Sequence, residues 1–217
     1  MDVLNFNPFA DDLSEADKTV ALAAEKVALK VYTTVSTIQS SAKSSGLDAA
    51  QAFATAIEAV GDVVKEQSAA GATADLSDSS IIDKVVTKTE TVLTTKLQEA
   101  GFDAAAVTSK VNANKAVLAT AKAQIKTVND AADAITSFDA TELGAIAKLA
   151  VKSGEEAAAA VTAEKAAPGS GAAKFTMKTA DAVETAKKEA KAEVQQAKGE
   201  ETTTTADTGS SATTNFT

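Results

Sequence analysis

The chain has 217 residues, of which 45% are hydrophobic and 24% charged, enough for one sizeable core without disulfide or metal staples. His and Cys are absent and every one of the 21 basic residues is Lys, which excludes histidine- and thiolate-bound Zn or Cu sites, thiol nucleophiles, Ser-His-Asp triads and Arg phosphate clamps. A net charge of −9 and a pI near 4.6 argue against nucleic acid and against anionic membrane surfaces.

The apolar content is mostly Ala and Val, with aromatics at 4% and no Trp, so the core is expected to be small-residue helices in close contact. No stretch has the ~18 consecutive apolar residues of a membrane span. The start, Met1-Asp2-Val3-Leu4-Asn5-Phe6, lacks the basic-then-apolar order of a signal peptide, and zero Cys leaves the redox compartment open.

Residues 1–13 read as an extended arm with Phe6, Pro8 and Phe9 as apolar anchors that lie on the bundle. The first helix starts at the Ser14 cap, with Asp17 three residues on, and carries a stripe of Val20, Ala24, Val27, Val31, Val35, Ile38 and Ala42, widened by Leu22, Leu29 and Tyr32. The second starts at the Asp48 cap and carries Phe53, Ile57, Val60 and Val64 as its expected buried stripe, with Ala56 and Val63 flanking, ending near Gly71. The third follows Asp78 or Ser79 with Ile82, Val85, Val86, Thr89, Val92, Leu93 and Leu97; its many threonines read as a solvated face rather than a water-ordering one.

The fourth helix, from the Asp103 cap to about Thr136, has the longest regular pattern: Val107, Val111, Asn114, Leu118, Ala121, Ile125, Val128, Ala132 and Ile135 alternate at four and three residues. This stripe is the predicted spine of the core, and Asn114 within it reads as a buried amide that sets register. The fifth helix starts at the Asp139 cap, with Glu142 as capping partner, and Gly154 marks a bend or a close helix contact. Leu47, Phe102 and Phe138 each precede an Asp cap, and the short turns this implies make consecutive helices antiparallel.

Residues 168–178, opening Pro168-Gly169-Ser170-Gly171, read as a flexible linker. Residues 179–198 form an Ala/Lys/Glu amphipathic helix with a thin stripe, and 199–217 a Thr/Ser-rich tail with the composition of disorder. The predicted fold is therefore all-α: an antiparallel helical bundle of about five helices over residues 14–167, a loosely attached C-terminal helix and a disordered tail.

For chemistry, acidic residues are the only ligand class available. Asp75, Asp78 and Asp83 are weak Ca²⁺ candidates in a polar loop that lacks the D-x-D-x-D-G spacing and closing Glu of an EF-hand; the other reading is solvated helix caps. No phosphate loop, nucleophile elbow or paired carboxylates with a sugar platform occur, so no catalytic residue, cofactor or enzyme activity is assigned.

The segments Asp2-Val3-Leu4-Asn5-Phe6-Asn7-Pro8-Phe9-Ala10-Asp11-Asp12, Val31-Tyr32-Thr33-Thr34-Val35-Ser36-Thr37-Ile38, Asp48-Ala49-Ala50-Gln51-Ala52-Phe53, Thr73-Ala74-Asp75-Leu76-Ser77 and Pro168-Gly169-Ser170-Gly171 resemble Ala/Val/Thr-rich helical modules of large secreted, type I exported, adhesin-like repeat proteins of marine bacteria. The resemblance spans roughly residues 1–180, in wording rather than in a functional motif. It implies a structural or interaction module, a spacer or docking domain at the cell surface or outside it, whose partner is another protein or neighbouring domains of a larger chain. The alternative is a cytoplasmic amphipathic-helix protein that coats a lipid or polymer granule in the manner of phasins.

Overall fold

The computed structural model describes the backbone of residues 14–206 and the side chains of residues 14–197. Six α-helices and one 3-10 turn make up the described chain: α1 (Glu15–Ser44), α2 (Ala49–Ala69), α3 (Ser79–Glu99), α4 (Ala104–Asp133), α5 (Ala140–Ala166), the turn Gly171–Lys174 and α6 (Ala180–Ala206). The predicted N-terminal arm lies outside the described residues.

Side-chain oxygens set the helix starts by accepting from amides left free in the first turn. Ser14 Oγ accepts from Asp17 N at 3.2 Å and Asp103 Oδ1 from Ala106 N at 2.8 Å. Asp139 Oδ1 accepts from Thr141 N at 2.6 Å, and Asp48 forms a full capping box with Gln51. Gly46 and Gly101 reverse the chain with φ of 114° and 85°, values open to glycine without strain. Phe102 and Val107 pack into one core cluster and Phe138 and Leu143 into another, the residues a hydrophobic staple places at each of those two starts.

Consecutive helices run antiparallel, and α1 to α4 close a four-membered ring in which α1 touches α4. Helix α5 then lies against both α1 and α4, and α6 against α5, which gives two layers, α2–α1–α5 and α3–α4–α6. The most extensive helix pair is α1 with α5, two helices that point the same way and are joined through three others. Their contact is made by small residues: Ser36 Oγ donates to the Ala150 carbonyl at 3.3 Å, and Gly154 lies directly against Ser36 and Ser40. The predicted close helix contact at Gly154 is thus what the residue serves.

Along α4, Val107, Asn114, Leu118, Ile125 and Val128 are buried, as is Ile135 just beyond its end, while Val111 is half-buried. The stripe on α1 is divided. Val35, Ile38 and Ala42 are buried, but Val20, Ala24 and Val27 face solvent. The reason is length: Asp75, in the α2–α3 connection, pairs with Lys30 at 2.9 Å, so the part of α1 before Lys30, about 20 Å at 1.5 Å per residue, extends past α2 and α3. On α2 the predicted face is also turned: Ala52, Thr55, Ala56, Ala59, Val60 and Val63 are buried, whereas Phe53, Ile57 and Val64 are not.

The segment after α5 is fastened rather than flexible. Glu164 accepts from the amides of Gly169 and Gly171 at 2.8 and 3.0 Å, Gln124 Oε1 from Met177 N at 2.9 Å, and Phe175 and Met177 are buried. Helix α6 is likewise held at its start: Val183, Ala186 and Ala190 join the core cluster of Leu143, Ile146 and Leu149. It continues to Ala206, so residues 199–206 of the predicted tail belong to a helix, and the rest of that tail lies outside the described residues.

Candidate interaction surface

The acidic residues considered as calcium ligands do not converge. Asp75 Oδ1 takes Lys30 Nζ at 2.9 Å and Ser77 N at 3.0 Å, Asp78 Oδ1 caps α3 through Ser80 N at 2.7 Å, and Asp83 pairs with Lys122 at 2.6 Å. The Lys30 hydrogen bond holds the Asp75 carboxyl below its ordinary range, and the Ser80 amide does the same for Asp78. Among the described residues no group of three or more His, Cys, Asp or Glu side chains is placed to hold a metal ion. Glu156 accepts from Thr176 through the threonine's amide and its hydroxyl.

Polar groups do gather inside the bundle, between α1 and α4. Asn114 Nδ2 donates to Ser41 Oγ at 2.5 Å and Ser45 Oγ at 3.1 Å, and Asn129 Nδ2 to the Leu76 carbonyl at 2.7 Å. Thr33, Thr34 and Thr37 are buried and return their hydroxyls to carbonyls one turn earlier on α1. The asparagine contacts tie α4 to the C-terminal end of α1 and to the α2–α3 connection, while the threonine bonds stay within α1.

The feature that stands apart lies on the surface. Among the described residues the large apolar side chains that remain exposed are Val20, Val27, Tyr32, Phe53, Ile57, Val64 and Val151, from 43% at Val151 to 57% at Val27. All seven are on α1, α2 and α5, the helices of one layer, and none is on α3, α4 or α6. Tyr32 and Val151 line one shallow groove with Ser36, Ser40, Lys43 and Glu155. Single exposed apolar residues are ordinary; Val20 and Val27 lie on the side of α1 that carries buried Ile38, beyond the ends of α2 and α3, whereas Tyr32 and Val151 line the α1–α5 groove and Phe53, Ile57 and Val64 share one side of α2.

Charge follows the same division on α2. Its four charged residues are Glu58, Asp62, Lys65 and Glu66, and Glu58 and Glu66 pair with Lys96 and Lys88 of α3 at 3.7 and 2.6 Å. At 100° per residue all four share one flank, so the side bearing Phe53, Ile57 and Val64 has no charge at all.

Sequence reasoning assigned Val20, Val27, Phe53, Ile57 and Val64 to the core and so missed this face. A signal was present: α2 has a second periodic set, Ala52, Ala56, Ala59 and Val63, of smaller residues. Comparison with known protein families, curated proteins and solved structures finds no match. Among the described residues no helix is long and apolar enough to cross a membrane.

Proposed function

We propose that the chain is a non-enzymatic structural or interaction module that docks another protein, or a neighbouring domain of a larger chain, on its α2–α1–α5 layer. The observation that carries this reading is the confinement of the seven exposed large apolar side chains to that layer. The other layer shows the ordinary charged surface, with ion pairs such as Lys115–Glu90 and Lys126–Asp130. Assignment to an extracellular or surface-associated bacterial protein comes from the sequence resemblance.

The test is a photo-crosslinking side chain placed on each layer in the cells that make the protein. Introduced at Val27 or Tyr32 it should trap a discrete heterologous adduct, and introduced at Lys115 on α4 it should not. Adducts at none of these positions, or equally at all of them, defeat the proposal.

The same apolar layer also favours a second reading, a chain that lies on a lipid or polymer granule and opens its small-residue core there. Flotation with phosphatidylcholine vesicles and with polyester granules separates the two. A chain that floats and loses amide-exchange protection supports coating; one that stays in the soluble fraction removes it.

A further inference from the structure

The first half of α1 carries an apolar strip that no element of the described chain covers, and we propose that residues 1–13 of the same chain fold back over it and must leave before a partner docks there. The proposal rests on reading the α2–α1–α5 layer as a contact face and adds how one part of that face is regulated. Ala16, Val20, Ala23, Ala24 and Val27 all face solvent and lie within about 60° of Val20 around the helix. In that sector Asp17 is the only charged residue between Ala16 and Val31. The same sector continues into Val31, which packs against the core cluster of Val35, Ile38, Leu76 and Ile81. A helix side that ends in solvent ordinarily carries charge. This one keeps the composition of a buried face past the ends of α2 and α3.

The occupant follows from where the N-terminal segment is attached and what it contains. It joins α1 at the Ser14 cap, less than two turns before Val20, and thirteen extended residues span up to about 40 Å, against roughly 20 Å from Ser14 to Val27. Val3, Leu4, Phe6, Phe9 and Leu13 give it five large apolar side chains, whereas residues 207–217 have only Phe216. Pro8 turns Asn7 away from helix toward the polyproline conformation, whose three residues per turn bring Val3, Phe6 and Phe9 to one side about 9 Å apart. That spacing is close to the ~10 Å between Val20 and Val27, and the alanines beside those valines leave shallow recesses for the two rings.

The chain has no Cys, so disulfide trapping on the full chain tests the contact. Phe9→Cys with Ala24→Cys is expected to close within one molecule at least about tenfold faster than Phe9→Cys with Thr136→Cys, which samples the neighbouring groove of Leu22, Thr136 and Phe138. Removing residues 1–13 should raise the yield of heterologous adduct from a photo-crosslinker at Val27 severalfold and leave the yield at Tyr32, on another side of α1, unchanged. Equal rates for the two pairs, or faster closure at Thr136, overturn the proposal. So do disulfides that link two copies, since a second chain would then hold the strip. Adducts at Val27 and Tyr32 that are indifferent to residues 1–13 also overturn it, and they leave the docking function standing. Fast closure at Ala24 with no heterologous adduct even from the truncated chain supports the N-terminal contact and defeats the docking function instead.

Discussion

A Cβ on Gly154 would stand 2.6 Å from Ser36 Oγ and 3.1 Å from the Ser36 carbonyl oxygen, so α1 and α5 meet where neither has room for one more methyl group. Helix propensity alone makes Gly154→Ala stabilising by about 1 kcal/mol. Overpacking against a backbone carbonyl costs about 1–3 kcal/mol and outweighs it. The expected result is a lower urea midpoint at unchanged slope, partly restored by adding Ser36→Ala. A midpoint above the parent's would mean that the two helices part easily.

Asn114 is fully buried, donates to Ser41 and Ser45, and has a carbonyl oxygen that accepts from no described group. Asn114→Leu removes that unmade bond together with the two made ones, and the two changes offset, so stability should change by less than about 1 kcal/mol. Asn114→Asp places a charge there without a cation and should cost about 3 kcal/mol or more. Urea titration of both variants checks this; a large loss for Asn114→Leu would show that the two serine contacts outweigh the orphan oxygen.

Leu118 is fully buried in the cluster of Val86, Val117, Ala121, Ala157, Val161 and Phe175, where α3, α4, α5 and the segment before α6 converge. Leu118→Ala should cost about 2–5 kcal/mol, and Leu118→Asp should abolish the cooperative melt. A Leu118→Asp chain that melts like the parent would remove α4 from its place at the centre of the core.

Glu142 joins α5 to α6: Lys191 Nζ donates to its Oε1 and Lys187 Nζ lies 3.5 Å from its Oε2. The Lys191 hydrogen bond is the main cause that holds its carboxyl below the usual 4.5. A carboxylate whose folded value is depressed contributes fully above its unfolded value, and the contribution is lost as pH falls through the folded value. The attachment of α6 should therefore weaken below about pH 4.5, by no more than about 1 kcal/mol for a partly exposed pair. Amide exchange of residues 183–190 between about pH 6 and 3 reads this out, and Glu142→Gln should flatten the dependence. An identical acid response in Glu142→Gln would assign it to other carboxylates.

Cutting the chain after Ala167 should expose Leu143, Ile146 and Leu149, which pack with Val183, Ala186 and Ala190 of α6. At roughly 25 cal/mol per Å² of apolar surface the expected loss is several kcal/mol, visible as a drop in melting temperature. A truncated chain that melts like the parent would make α6 the loose attachment its thin stripe suggests.

The sequence by itself determined what is local. Ser14, Asp48, Asp103 and Asp139 cap the helices because a short polar side chain before a helical run satisfies free amides next to it. The α4 stripe was legible for the same kind of reason, since one dominant periodic set leaves one choice of buried face. Tertiary structure decided what depends on neighbours. On α2 two sets compete, and the smaller one, Ala52, Ala56, Ala59 and Val63, turns inward because small residues let helices approach closely and fill space densely. On α1 the same periodic stripe is buried or exposed according to whether α2 and α3 extend far enough to cover it. The parallel pairing of α1 with α5 and the fastening of Phe175 and Met177 join residues more than a hundred or about fifty positions apart. No local pattern encodes such contacts, since they arise only once burial selects one arrangement of the whole chain.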